Sequence, residues 1–136
     1  MNTPTETTHI SIAATDHRDV VLLCNLADSD QQRRGVVAYR WIVSCLKQLG
    51  ESSVVLGLVE NQAAGICWVT TTNGASVVHT LYVAERYRGQ RLASKMLEMA
   101  KLHAGDVPLR ALALPGDRNT KNLFERAGMP AQLIVM

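Results

Sequence analysis

Asn73–Gly74 falls between two runs rich in Val, Ile, Leu and Thr, Ala63–Thr72 and Ala75–Ala84. In that setting Asn-Gly is the strongest short-range signal for a β-hairpin, because both residues accept the positive φ angles of a two-residue turn. A third run, Ser53–Val59, precedes these two across the polar triplet Glu60–Asn61–Gln62. The three runs predict an antiparallel meander at the centre of the chain.

Helical and strand-like periods flank the meander. His9–Thr15 alternates and predicts a first strand. Asp16 is placed to cap a helix over His17–Ala27, and Asp28, Ser29 and Asp30 form a polar break after it. A second helix is expected over Gln31–Leu49, with Ala38, Ile42, Cys45, Leu46 and Leu49 at helical spacing and Gly50 as its stop. After the meander, Leu92, Met96, Met99, Ala100 and His103 line one face of a third helix that Gly105 ends. Leu109–Leu114 alternates as a strand, and Asp117 or Asn119 caps a last helix that runs to Gly128. Pro130–Met136 reads as a final strand. The order is β-α-α-β-β-β-α-β-α-β, and its strand–Gly loop–helix–strand portion is a βαβ unit inside a mixed sheet. The class is therefore α/β (α+β), with one domain over residues 9–136 behind a flexible N-terminus, residues 1–8.

Composition narrows the function. A chain of 136 residues is one ordinary domain that needs no metal or disulfide staple. Lys+Arg 14 against Asp+Glu 12 leaves +2, too balanced for a nucleic-acid binder, and 4% aromatics offer no stacking platform. The longest apolar run, Ala63–Val69, is too short to span a membrane, so no membrane partner is expected. The opening MNTPTETTH lacks the features of a secretory signal, so the expected location is cytoplasmic. Cys24, Cys45 and Cys67 are odd in number and lie in apolar runs, as buried free thiols of a reducing compartment do. No C-x₂-C or H-x₃-H pair exists, so no metal is expected.

The segment after the meander carries the chemistry. Arg86, Arg88, Arg91 and Lys95 fall within ten residues around Gly89, where a strand feeds a helix. The first-turn N–H groups of a helix lack intrahelical partners and carry partial positive charge, so such a place suits phosphate or pyrophosphate. A solvated charged turn fits the same spacing equally well. A P-loop and a Rossmann fingerprint are both excluded, because neither glycine pattern occurs.

Leu81–Leu97, LYVAERYRGQRLASKML, resembles the GNAT N-acetyltransferase family, in which a strand ending near L-x-V precedes Q/R-x-x-G-x-G/A at the start of a helix. Arg88 and Ala93 match that motif, while Arg91 stands where the family has its middle Gly. Asn122–Met129, NLFERAGM, is similar to the family's L-Y-E-K-L-G-F. The resemblance implies acetyl-CoA (coenzyme A) as co-substrate, with its pyrophosphate over Arg88, Gly89, Gln90, Arg91, Leu92 and Ala93. It implies that Leu81 and Val83 present backbone groups to the pantetheine arm, and that a backbone N–H near Val83 polarises the thioester carbonyl. It places Asp117 where the family has an Asn that contacts the CoA arm, with Asn119 two residues on as the candidate for that contact, and it places Phe124 where relatives often carry a proton-donating Tyr. Phe124 has no proton to give, and Val77 stands where many members have a Glu base.

Strict alternation would turn Val77, His79, Leu81 and Val83 to one face of the fourth strand. Arylalkylamine N-acetyltransferases carry a His at the position of His79, so the resemblance implies a general base there, helped by an ordinary imidazole pKa of about 6.5. A strand histidine satisfied by neighbouring groups is the other reading. Asp28 and Asp30 lie where the family contacts its acceptor, although capping and solvation also explain them. Tyr39, Trp41 and Val43 fall off the second helix's core stripe and suit an acceptor pocket or a partner subunit. The chain ends soon after its last helix, so the acceptor side is expected to be open or completed in a homodimer. The expected activity is acetyl transfer from acetyl-CoA to an amine, borne by a small molecule or a protein, through direct attack. The departures at Val77, Arg91 and Phe124 keep a second reading open: a catalytically weak or inactive acyl-CoA-binding regulatory protein on the same fold.

Overall fold

The computed structural model describes residues 7–34, 39–72, 74–113, 118–126, 128 and 131–133. Strands β1 (Thr8–Ala13), β2 (Glu51–Val59), β3 (Gln62–Thr71), β4 (Ser76–Val83), β5 (Leu109–Ala113) and β6 (Ala131–Leu133) form one sheet in that order. β1 to β4 are antiparallel neighbours, and β4, β5 and β6 run parallel. Helices α1 (Arg18–Arg33) and α2 (Tyr39–Gln48) lie between β1 and β2, α3 (Leu92–Ala104) between β4 and β5, and α4 (Arg118–Arg126) between β5 and β6. This is the element order and the mixed sheet that the sequence predicts.

The meander forms for the local reasons its sequence contains. Glu60 and Asn61 make the β2–β3 turn with φ 51° and 64°, the double positive φ that a tight hairpin needs. The β3–β4 connection closes with Thr72 N–H donating to the Ala75 carbonyl at 2.9 Å. Asn73 lies outside the described residues.

Several boundaries differ from the expectation. α1 does not stop at Asp28–Ser29–Asp30 but runs on to Arg33. Asp30 pairs with Arg33 at 3.6 Å and Arg34 at 3.2 Å, and Ala27 and Gln31 continue the buried stripe of Val20 and Leu23. A polar triplet inside a continuing stripe does not end a helix. His17, not Asp16, caps α1, its Nδ1 accepting the Asp19 N–H at 3.1 Å. The second helix accordingly spans Tyr39–Gln48. α4 begins at Arg118, so Asn119 sits in its first turn rather than at its cap, and Asp117 lies outside the described residues. On α3 the buried stripe is Leu92, Ala93, Met96, Leu97 and Ala100, while His103 is exposed and meets Ser53 Oγ at 3.1 Å. Cys67 is buried, but Cys45 is exposed, contrary to the expectation of three buried thiols.

Each sheet face has its own core. Val55, Cys67, Val69, Val78, Leu81 and Val83 pack with α3 and with Phe124 of α4. Val54, Leu56, Ile66 and Trp68 pack with Val20 and Leu23 of α1. α3 lies close on its face because Gly57 and Gly65 are opposite each other beneath it. A Cβ on Gly65 would stand 2.9 Å from the Tyr82 carbonyl oxygen and 2.9 Å from Met96 Cε, and one on Gly57 3.0 Å from Leu92 Cδ1. Gly65→Ala is therefore expected to lift the start of α3 and to cost about 1–3 kcal/mol by overpacking. Urea denaturation checks this, and an unchanged midpoint would show that the helix yields freely.

Candidate active site

The sheet opens at β4. Pairing between β4 and β5 covers only Ser76–Val78 against Leu109–Ala111, and the rest of β4 extends past that contact. At the same place the β3–β4 register shifts, with Thr80 opposite Trp68 but Val78 opposite Val69, so β4 carries one extra residue. This β-bulge breaks the alternation. Val78, Leu81 and Val83 share the α3 face, whereas His79 turns to the α1 face, where its ring lies 6.3 Å from that of Trp68. The expectation that Val77, His79, Leu81 and Val83 share one face is thus corrected.

The same register aims the backbone of β4. Ala84 N–H donates to the Ala64 carbonyl at 2.8 Å, and Val83 lies opposite Gly65. Bonded and non-bonded pairs alternate along an antiparallel ladder, so Leu81 and Val83 point their N–H and C=O groups away from β3, toward the opening. Arg88 Nε donates to the Val83 carbonyl there at 2.9 Å.

Beside this edge lies a cleft of about 960 Å³, walled by the C-terminal half of α1, by β4, by the loop into α3 and by α4. Its volume is that of a small-molecule site. The loop ends in Arg91, which precedes α3 with φ 61° and ψ 21°. A left-handed conformation costs a non-glycine residue about 1–2 kcal/mol, so Arg91 is strained where a glycine would not be. Gly89 has φ 82°, and a Cβ there would meet nothing within 4 Å, so the loop leaves open space above it. The first turn of α3 holds no acidic residue, and its N–H groups emerge beside Arg88 and Arg91.

His79, Leu81, Val83, Arg88, Gly89, Arg91, Leu92 and Ala93 all line the cleft. Gln90 is exposed and is not among the lining residues. Phe124 is fully buried within the α3-side core rather than in the cleft wall, so its implied contact with the co-substrate is corrected: its ring supports α4 from below. The Asn119 side chain lies outside the described residues, as do those of Tyr39 and Trp41. Val43 and Asp30 line the cleft, and Asp28 does not.

His79 is 4% exposed and has both ring nitrogens engaged: Nε2 with Thr70 Oγ1 at 3.0 Å and Nδ1 with Thr80 Oγ1 at 3.0 Å. Burial, reinforced by the Lys47 charge, pushes its pKa down to about 3. The expectation of an imidazole titrating near its ordinary value is therefore corrected, and the ring is neutral at physiological pH. An unfolded His takes up its proton near pH 6.5, and the folded one resists protonation until about pH 3. Stability is thus complete above pH 6.5 and falls as the pH drops through that window. Acidification from pH 7 to pH 5 is expected to cost about 2 kcal/mol from this group. His79→Gln should flatten that limb of the stability–pH curve, and a wild-type curve already flat between pH 5 and 7 would contradict it.

Some lining residues escaped the sequence reading. Gln31, 7% exposed, reaches from α1 to Thr120 of α4, Nε2 to Oγ1 at 3.5 Å. Its place four residues after Ala27 was the available signal, obscured by the polar triplet between them. Tyr87 is buried in the wall and its hydroxyl donates to Gln62 Oε1 at 3.3 Å. Thr80 enters the wall only through the bulge. Among the described residues, no group of three or more His, Cys, Asp or Glu side chains is placed to hold a metal ion.

Comparison with known proteins bears on the family and the fold. The model of the acetyltransferase (GNAT) domain matches residues 50–128, more than half of the chain. No curated protein sequence matches. Among solved structures, an aminoglycoside N-acetyltransferase in complex with CoA superposes with a TM-score of 0.69 at 11% identity, covering 100% of this chain and 96% of that one. A ribosomal-protein-alanine N-acetyltransferase from Brucella melitensis biovar Abortus 2308 gives 0.64 at 16% identity, over 96% and 97% of the two chains. Glucosamine-6-phosphate N-acetyltransferase from Arabidopsis thaliana gives 0.62 at 20% identity, over 96% and 97%. At such identities the superpositions speak for the fold, and the domain match spans both the splayed strand and the Gly89 loop: the chain belongs to the GNAT acetyltransferase family.

Proposed function

We propose that this protein transfers an acetyl group from acetyl-CoA to an amine by direct attack. The observation that carries the reading is the meeting, in one cleft, of α3's donor-rich start at Gly89–Ala93 and the outward-facing backbone of Leu81 and Val83. The loop and helix start suit a pyrophosphate, because open space and N–H donors lie there and Arg88 and Arg91 line the same cleft. The β4 edge suits an extended amide-bearing arm, which can bond to it as an added strand does. The solved complex of a relative with CoA supports the choice of ligand.

The geometry supports the following roles. The backbone N–H groups of Leu81 and Val83 face the opening, and the Leu81 N–H, beside Thr80, is within reach of the thioester carbonyl to polarise it, an oxyanion-type contribution. Arg88 gives up the Val83 carbonyl as the arm docks and turns its guanidinium to phosphate. The acceptor amine approaches along α1 and α4, past Asp30, Gln31 and Thr120, and meets His79 and Thr80 at the bulge. The cytoplasm is the proposed setting.

CoA binding tests this reading. CoA at a hundred times its Kd should stabilise the fold by about 2.7 kcal/mol, a thermal shift of several degrees, with matching heat in calorimetry. No shift and no heat at millimolar CoA would overturn it. CoA binding without turnover of any amine would favour the regulatory reading instead.

A further inference from the structure

We infer that Thr80, His79 and Thr70 form a proton relay that serves both proton transfers of the reaction, taking a proton from the attacking nitrogen and returning one to the departing sulfur. The inference rests on the acetyl-transfer reading and adds the route its protons take. Thr80 and His79 stand in the cleft wall. From Thr80 Oγ1 it is 3.0 Å to His79 Nδ1, from Nε2 3.0 Å to Thr70 Oγ1, and from there 3.4 Å to Oγ of half-buried Ser52 near the start of β2. Thr70 itself is 2% exposed. Each of these groups can donate and accept at once, which a conduit for protons requires. The bulge makes the series continuous, because it brings two consecutive residues of β4 to one side of the strand.

Two further observations favour a relay over a resting base. Burial keeps the imidazole neutral, with a pKa near 3, so a proton passes through it rather than residing on it. Val77 offers no carboxylate and buried Phe124 no hydroxyl, so neither supplies these transfers.

The steps balance. At rest the Thr80 hydroxyl donates to Nδ1, and Nε2–H donates to Thr70. An amine that enters unprotonated attacks the thioester carbonyl and forms the N–C bond. The nitrogen's surplus proton moves to Thr80 Oγ1, the Thr80 proton to Nδ1, the Nε2 proton to Thr70, and the Thr70 proton through Ser52 to water. The imidazole is then the other tautomer, and the new Thr80 proton points into the cleft. When the C–S bond breaks, its electron pair leaves on sulfur, which takes that proton. Nδ1–H then returns its proton to Thr80, Thr70 gives one to Nε2, and water restores Thr70 through Ser52. One proton has left and one has entered, the tautomer is reset, and amine plus thioester have become amide plus thiol. Thr80 touches the reacting atoms, while Thr70 is a positioning residue acting through His79.

Thr70→Val and Thr70→Ser test the relay in the full-length protein with acetyl-CoA and an accepted amine. Thr70→Val should lower kcat by at least about 10-fold with CoA affinity within twofold of wild type, and Thr70→Ser should restore kcat. The wild-type solvent deuterium effect should show a curved proton inventory that Thr70→Val abolishes. A full rate in Thr70→Val, a loss that Ser does not repair, or a linear wild-type inventory overturns the relay. Should Thr70→Val fail to fold, nitrogen NMR of wild-type His79 decides without turnover: the neutral Nε2–H tautomer at pH 6 supports the relay, and the Nδ1–H tautomer or a charged ring overturns it. Absence of wild-type turnover with CoA bound would instead overturn the acetyl-transfer reading itself.

Discussion

Gly89→Asp is expected to abolish measurable CoA binding while leaving the protein folded. Gly89 has φ 82° and open space on its Cβ side, so the fold pays only the left-handed penalty, about 1–2 kcal/mol. Binding pays far more. A carboxylate about 5 Å from each of two phosphate charges costs about 3 kcal/mol per pair at an effective dielectric of 20. Screening and relaxation reduce this, and a loss of at least about 100-fold remains, equivalent to about 2.7 kcal/mol. Gly89→Ala separates the two effects, since it carries the strain without the charge and should weaken binding far less. Calorimetric titration with CoA reads both variants. Binding of Gly89→Asp within threefold of wild type would place the pyrophosphate elsewhere.

Phe124→Ala should cause the largest loss of stability. The ring is fully buried among the side chains that join α3, α4 and the sheet. Removing a buried Phe costs about 3–5 kcal/mol, against a total stability of about 5–15 kcal/mol for a domain. Because α4 carries Thr120 and Asn122 into the cleft wall, CoA affinity should fall as well. Phe124→Tyr is the informative partner. Its hydroxyl would enter an apolar core, at a cost of about 1–3 kcal/mol if no partner is found, and turnover should not rise. Urea denaturation and steady-state kinetics measure these effects. A Tyr variant of unchanged stability and higher kcat would show that the hydroxyl reaches the cleft.

The parts legible in the sequence are those governed by local rules. Glu60–Asn61 and the segment around Asn73–Gly74 mark the meander, and Gly89 and the basic side chains mark the start of α3, because turn chemistry and helix-end electrostatics act over a few residues. The His79 bulge was not legible, because a bulge is a property of two strands in register and β4 alone shows only alternation. That one residue decides which face His79 takes and brings Thr80 beside it. α1 passed through its polar triplet because ion pairs from Arg33 and Arg34 serve Asp30 while Ala27 and Gln31 continue the buried stripe, a balance that composition does not display. The motif position of Phe124 came from resemblance, and its burial came from how α4 lies on the sheet.

The central claim is acetyl transfer from acetyl-CoA to an amine in the cleft between the β4 edge and α4. Free thiol released from acetyl-CoA, followed across a panel of small amines, peptide N-termini and lysine peptides, tests it most directly. Release should require both protein and amine, match the acetylated product one for one, and vanish in Gly89→Asp. If no amine raises release above the amine-free rate while CoA still binds, the transfer claim is contradicted.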